Sequence, residues 1–194
     1  LAYISFSEQT SGADLWVMGA DDASRYPAAL FDGGNVTKPR WSPDGQLIGF
    51  VYSPSGSNDT FWMVGAQQGA LPTQRSYMYA LALDLTWLPD STQMLAAVRD
   101  FQGVGENRLW AVPLVGNADD TAQQYLAHLP LSHADYPRFS PDGQYLALRS
   151  AYELALVDLR DGTMRLLDER MLGNVPAVWS PPGFIGEAAC AAQS

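Results

Sequence analysis

Cysteine, histidine and basic residues are scarce in this sequence of 194 residues, and each shortage excludes a class of protein. The only cysteine, Cys190, excludes an internal disulfide and a cysteine-rich metal site. Lysine and arginine together number 11 against 21 aspartates and glutamates, which gives a formal net charge of −10. No continuous basic track is therefore present for a nucleic-acid backbone. No apolar run is long enough to span a bilayer, so we expect neither nucleic-acid binding nor a membrane span.

Internal repetition is the main feature of what the sequence does contain. The motif PRWSPDG at 39–45 returns as PRFSPDG at 137–143, with degenerate copies at 85–91 (LTWLPDS) and 177–183 (AVWSPPG). The aromatic residues of the four copies follow one another at intervals of roughly 40 to 50 residues, the period of a propeller blade. They are Trp41, Trp87, Phe139 and Trp179. We expect them at corresponding positions on the innermost strands of a β-propeller.

Two further motifs keep the same period. Short apolar segments begin at residues 1, 48, 95 and 146, and segments of the DLWVM type place Trp16, Trp62, Trp110 and Ala155 in one slot. The segments are short, rich in Val, Leu, Ile and aromatic residues, and bounded by Gly, Pro, Asp or Ser, which is typical of strands. SPDG suits a tight hairpin turn, because proline presets φ, aspartate hydrogen-bonds the nearby backbone and glycine accepts a positive φ.

These motifs predict one all-β domain over 1–194, a β-propeller of about four four-stranded antiparallel blades. The blades are expected at 1–30, 36–77, 83–129 and 135–168, followed by a further strand at 175–180 and a tail at 184–194. The fourth strand of each blade is the most variable. We expect these strands near 26–30, 71–77, 123–129 and 164–167.

The order of the motifs resembles the repeat of the TolB-like propellers, which are related to WD-repeat proteins. The same repeat occurs in the propeller domains of prolyl-oligopeptidase-type peptidases. The resemblance covers nearly the whole chain, with departures at Leu88, Ser91 and Pro182 in the degenerate turns and at Ala155. It implies either a scaffold that holds a protein partner in a periplasmic or secreted assembly, or an accessory domain that gates or positions substrate. In such peptidases the catalytic residues lie in a separate α/β-hydrolase domain.

The two ends of the chain leave two arrangements open. Pairing of 175–180 with residues 1–6 would close four blades and leave no open sheet edge. Against this, IGEA at 185–188 echoes IGFV at 48–51, as if another blade began there, and TolB-like propellers generally have six or more blades. The chain would then be a slice of a larger propeller and would associate with another chain. Because the sequence begins at Leu1 without an initiating Met, we expect a processed or excised piece.

Few residues are candidates for a functional site. Arg40 and Arg138 precede the aromatic residue in sister repeats and could point into the central channel to bind an anion. Pairing with the carboxylate of a neighbouring blade is the favoured alternative. The repeated tryptophans are interpreted as core between blades rather than as a ligand-stacking surface.

Neither catalysis nor metal binding is predicted from the residues. The strand-to-helix motif GxSxG is absent, and Ser42, Ser140 and Ser180 belong to the repeated turns. The adjacent acids at 21–22 and 119–120 lack the alternating spacing of a calcium loop. His128 and His133, with Asp135, lie on a connecting loop and are too few for a metal site. The sequence therefore favours a non-catalytic protein-binding scaffold without a cofactor, the alternative being the accessory propeller of a larger hydrolase.

Overall fold

The structure is a computed structural model, and it describes residues 1–7, 11–21, 23–76, 80–100, 106–131, 133–168 and 176–180. These residues form strands that follow one another along the chain, with one four-residue helix; the strands pair antiparallel except at one parallel bridge between Ala13 and Asn35. We group the strands into four successive blades. No helix of the described residues is long and apolar enough to cross a membrane.

Each of blades II to IV is an antiparallel meander of four strands, and blade I contributes three. Blade I consists of β1 (Ala2–Ser7), β2 (Gly12–Met18) and β3 (Arg25–Ala29). Blade II consists of β4 (Asn35–Trp41), β5 (Leu47–Ser53), β6 (Thr60–Gly65) and β7 (Thr73–Ser76). Blade III consists of β8 (Ala80–Trp87), β9 (Gln93–Asp100), β10 (Asn107–Pro113), the helix α1 (Ala118–Thr121) and β11 (Gln123–Gln124). Blade IV consists of β12 (Ala134–Phe139), β13 (Tyr145–Ser150), β14 (Glu153–Asp158) and β15 (Thr163–Asp168).

The repeated aromatic residues hold the same register in blades II to IV. Trp41 pairs with Ile48, and the last residues of β8 and β12 pair with the second strand in the same way. Those pairs are Trp87 with Met94 and Phe139 with Leu146. The expected correspondence is confirmed for these three. The apolar repeat in β9 is therefore aligned from Met94, one residue before the predicted start at Leu95.

The fourth strand of blade III is much shorter than predicted. Gln123 and Gln124 pair with β10, and Tyr125 N donates one more hydrogen bond to Leu109 O before the chain turns away at Leu126, which adopts a positive φ of 55°. The segment before it contains α1, capped by the side chain of Asn117, which accepts a hydrogen bond from the backbone of Asp119. The other fourth strands lie within a few residues of the expected positions.

The apolar core lies between consecutive blades. Three clusters of buried side chains each join two neighbouring blades. Leu15 of blade I packs in the same cluster as Ile48 of blade II, and Phe61 of blade II packs in the same cluster as Leu85 of blade III. Each fully buried side chain of this size stabilises the fold by about 1.5–3 kcal/mol, so the faces between blades hold the fold together.

The predicted closing strand is not formed by the described residues. Residues 176–180 have no strand assignment, and within the described part of the chain β1 pairs with β2 alone. Trp179 instead contacts blade IV, where its indole Nε1 donates to the carbonyl of Arg138 at 2.9 Å. The structure thus gives the closed four-bladed ring no support. Residue 175 and the predicted tail at 184–194 lie outside the described residues.

Candidate functional site

A β-bulge interrupts the first strand of each of blades II, III and IV, a few residues before the repeated aromatic residue. The register shifts between Thr37 and Arg40 in β4 and at the corresponding residues of β12, whereas in β8 it shifts between Ala82 and Asp84, nearer the start of the strand. Bulges bend a strand and redirect its side chains, and they are frequent next to functional sites. Counting back from the repeated aromatic residue, Asp84 of blade III occupies the position that Lys38 and Tyr136 hold in the sister blades.

The bulges bring three charged side chains together. Arg40 Nη2 lies 3.1 Å from Asp84 Oδ1, and Arg138 Nη1 lies 2.8 Å from Asp84 Oδ2. Asp84 also accepts a hydrogen bond from the backbone of Leu85 at 2.9 Å. Both arginines thus pair with a carboxylate of the neighbouring blade, the alternative that the sequence favoured. Anion binding by the same arginines stays a prediction.

Burial and the Asp84 carboxylate shift the pKa of Arg40 in opposite directions. Desolvation lowers the pKa of the Arg40 guanidinium, and the nearby charge of Arg138 lowers it further, whereas the Asp84 carboxylate raises it. Arginine nevertheless stays protonated in proteins, so two cations share one anion. The side chains of Arg40 and Arg138 are 34% and 20% exposed against 4% for Asp84. Solvent therefore meets the positive part of the cluster.

A cavity of about 280 Å³ opens beside this cluster, and we call it the turn cavity. Its walls come from the repeated turns of three consecutive blades and combine two arginines with aromatic and proline side chains. The lining comprises Arg40, Trp41, Pro43, Thr86, Trp87, Pro89, Arg138, Phe139, Ser140 and Pro141.

The repeated tryptophans of these turns have two different environments. Trp87 is 3% exposed, and its Nε1 donates to the carbonyl of Arg40 at 2.9 Å, as Trp179 does to Arg138. Trp87 is therefore core between blades, as interpreted from the sequence. Trp41 is 38% exposed and forms part of the cavity wall. The sequence motif did not distinguish these two environments.

A second polar cluster lies at the opposite end of β12, and the sequence pointed to only part of it. Asn107 Nδ2 donates to Asp135 Oδ1 at 2.5 Å, and Arg149 Nη2 pairs with Asp135 Oδ2 at 2.5 Å. A cavity of about 340 Å³, the hairpin cavity, adjoins this network. It is lined by Arg99, Asn107, His133, Asp135, Arg149, Ala151 and Tyr152. Arg149 ends the apolar repeat that begins at residue 146, but the other lining residues belong to none of the repeated motifs, so periodicity gave no signal for the cavity.

The residues considered as metal ligands do not form one cluster within the described part of the chain. No group of three or more His, Cys, Asp or Glu side chains there could hold a metal ion. His133 and Asp135 share the hairpin cavity, whereas the lining of that cavity does not include His128. Asp120 accepts a hydrogen bond from Asn117, and Asp22 lies outside the described residues.

Serines at the repeated turns have a structural role. Ser42 Oγ donates to Asp44 and accepts from the backbone of Leu47, and Ser140 makes the same contacts with Asp142 and Tyr145. A nucleophile would need a neighbouring base, and neither serine has a histidine among its hydrogen-bond partners in the described part of the chain.

Comparison with known proteins identifies the fold. No family model matches the sequence. A curated relative, the uncharacterized peptidase YuxL of Bacillus subtilis, is 25% identical over 147 residues, which are 76% of this chain and 20% of the relative. The crystal structure of TolB from Acinetobacter baumannii matches with a TM-score of 0.66 and 20% identity, over 86% of this chain and 40% of that chain. A prolyl endopeptidase structure matches with a TM-score of 0.63 and 12% identity, over 93% and 29% of the two chains.

The protein therefore has a β-propeller fold of the TolB-like kind, in which the described residues give blades II to IV four antiparallel strands each and blade I three. The chain spans 20% of the curated relative's length and 40% of the TolB chain.

Proposed function

We propose that this propeller is a non-catalytic binding scaffold whose turn cavity receives an acidic segment of a protein partner. The observation that carries the proposal is the unequal exposure of the Arg40, Asp84 and Arg138 cluster. Its two guanidiniums are reachable from solvent, and the carboxylate that they share is buried. The cavity thus offers a net charge of +1 to a ligand, although the whole chain carries −10.

The walls of the turn cavity suit a peptide. Tryptophan and arginine dominate the binding energy of many protein interfaces because they combine large apolar area with directed polar groups. Trp41 supplies such an exposed aromatic surface beside Arg40. A guanidinium binds a carboxylate through two parallel hydrogen bonds, so an Asp or Glu side chain beside an apolar residue would satisfy both features.

An extracytoplasmic assembly is part of this proposal, on the strength of the likeness to TolB. Fractionation of the native source, followed by detection of the protein with an antibody, tests the location. Recovery in the cytoplasmic fraction alone would remove this part of the proposal and leave the binding site to be tested separately.

Selection of peptides from a displayed random library tests the binding site. We expect selected peptides to be enriched in Asp and Glu next to an aromatic residue or proline, and to bind at least tenfold more weakly to Arg138→Gln and Trp41→Ala. Arg160→Gln is the matched control, because Arg160 is an exposed arginine of blade IV that pairs with Asp158 outside the cavity. Peptides without acidic residues, or equal binding by all variants, would refute the proposal.

A second candidate function is the accessory propeller of a larger peptidase. The 25% identity to a curated peptidase favours it, as does the likeness to a prolyl endopeptidase structure. In this role the turn cavity would position substrate while the chemistry takes place elsewhere. The native full-length protein decides between the two: a GxSxG segment in a further domain, together with hydrolysis of a fluorogenic peptide, would favour the peptidase.

A further inference from the structure

We propose that the hairpin cavity, between blades III and IV, binds a small organic anion through Arg99 and Arg149. This site lies at the opposite end of β12 from the turn cavity and does not depend on the proposed function. Its cationic groups come from β9 and β13, and its supporting groups come from β10 and β12.

A continuous chain of hydrogen bonds orients the two arginines. Arg99 Nε donates to Asn107 Oδ1 at 3.0 Å, and Asn107 Nδ2 donates to Asp135. Asp135 in turn holds Arg149 through its second oxygen. Asn107 and Asp135 are 2% and 3% exposed, so the groups that link the arginines are buried. Such buried support fixes a binding group before the ligand arrives.

The two arginines differ in how firmly they are held. The Arg149 guanidinium lies over the ring of Tyr136, 5.2 Å from its centroid, and its side chain is 17% exposed. Arg99 is exposed, and among the described residues its only polar partner is Asn107, which engages Nε. The two terminal nitrogens of Arg99 therefore keep their donors for a ligand, and these donors form the fork that matches a carboxylate or phosphate group.

The charge and size of the cavity define the class of ligand. Among the described lining residues, two arginines against Asp135 leave a net charge of +1 before His133 is counted. A volume of about 340 Å³ lies at the lower end of the range for small-molecule pockets, so an organic anion fits better than a bare inorganic ion. Tyr152, which is 77% exposed, offers an aromatic face at the rim. The shared chemistry is a carboxylate or phosphate group on a small organic body.

Backbone conformation supports a specialised role for this end of blade IV. His133 and Ala151, both in the cavity lining, have positive φ values of 59° and 55°. Residues with a Cβ pay an energetic cost in this region, and such residues cluster at ligand sites where the surrounding structure maintains them.

Titration calorimetry with defined probes tests the proposal. The probes are citrate, succinate, phosphoserine and inorganic phosphate, with the uncharged succinamide as the blank. We expect at least one organic anion to bind with a Kd below 1 mM, and Arg99→Gln to weaken that binding at least tenfold. Arg165→Gln, an exposed arginine on β15 outside the cavity, should bind as the wild type does. If the carboxylate and phosphate probes bind with different affinities, the tighter class identifies the group that the site prefers.

Three results would overturn the inference: no probe binds better than succinamide, inorganic phosphate binds as tightly as every organic anion, or Arg99→Gln binds as the wild type does. Because Arg99→Gln also removes the hydrogen bond to buried Asn107, we expect a lower melting temperature, so binding is compared at a temperature where both proteins are folded. Arg99→Gln should also leave acidic-peptide binding at the turn cavity unchanged, so the two sites succeed or fail separately.

Discussion

Blade III differs from blades II and IV at several corresponding positions of the first strand and its turn. Where the sister blades have Lys38 or Tyr136, blade III has Asp84. Where they have arginine it has Thr86, and where they have the turn serine it has Leu88. The two arginines that flank the turn cavity therefore meet the acid of the blade between them. The cluster of Arg40, Asp84 and Arg138 depends on this difference, because blades of identical sequence would not place an acid between two arginines.

The turn itself keeps its backbone geometry despite these differences. The hydrogen bond that closes it measures 2.8 Å from Ser42 N to Leu47 O, and 3.0 Å from Leu88 N to Gln93 O. In blade III the turn aspartate, Asp90, accepts from the Thr92 hydroxyl and backbone in place of the missing serine. The backbone of this hairpin thus tolerates two different sets of side-chain contacts.

Removing the acid of blade III should have the largest effect. Asp84→Asn leaves Arg40 and Arg138 close together without a counter-charge, and breaking a buried ion pair costs about 3–5 kcal/mol. Because both arginines are partly exposed and can turn towards solvent, we expect a loss of about 2–3 kcal/mol in the free energy of unfolding. Urea denaturation measures it. Asp32→Asn, at an exposed site, is the control and should change little.

The tryptophan of blade III provides the next test of the comparison. Trp87→Phe gives blade III the residue that blade IV has and removes the hydrogen bond from Nε1 to the Arg40 carbonyl. We expect a loss of about 1 kcal/mol, the usual worth of one such bond. Trp110→Phe is the control, because its indole has no hydrogen-bond partner in the described part of the chain. Equal losses in both variants would show that ring size, rather than the hydrogen bond, matters.

The turn serine should contribute a similar or smaller amount. Ser140→Ala removes the contacts with Asp142 and Tyr145. The turn of blade IV then lacks a serine hydroxyl, as the turn of blade III does at Leu88. We expect the free energy of unfolding to fall by about 0.5–1 kcal/mol. Ser55→Ala, at an exposed loop position, serves as the control in thermal unfolding. A Ser140 variant as stable as the wild type would mean that water replaces the hydroxyl without cost.

Acid should weaken the turns of all three blades. Hydrogen bonds from Ser42, Thr92 and Ser140 lower the pKa values of the turn aspartates of blades II, III and IV, and the Arg160 side chain lowers the pKa of Asp158 to about 2. A lowered folded-state pKa adds stability that is present above the unfolded value and is lost as pH falls through the folded value. The melting temperature should therefore decrease between about pH 4 and pH 2. A flat profile over this range would contradict the assignment.

The repeats predicted the fold well because each blade is recorded in short local patterns. Trp62 and Ala155 occupy one slot, since each pairs with the residue two positions after Ile48 or Leu146 in its blade. The sequence favoured a carboxylate of a neighbouring blade as the partner of Arg40 but did not identify Asp84, because the contact joins residues 44 apart through two bulges. The short β11 also escaped prediction, since the turn depends on a positive φ at Leu126, a residue type that gives no turn signal.

Ser91 is the position where we expect the smallest change in stability, because two effects nearly cancel there. It adopts a positive φ of 61° where the sister turns have Gly45 and Gly143, both at 70°. A residue with a Cβ pays about 1–2 kcal/mol in this region, and glycine pays about 0.5–1 kcal/mol in backbone entropy. Ser91→Gly also loses the bond that Ser91 Oγ accepts from Asp44 N across the blades at 3.1 Å. We expect a gain of at most about 0.5 kcal/mol in the free energy of unfolding, against a loss for Ser57→Gly, whose φ is not positive. If both glycine variants lost the same stability, the hydrogen bond between blades would outweigh the relief of strain at Ser91.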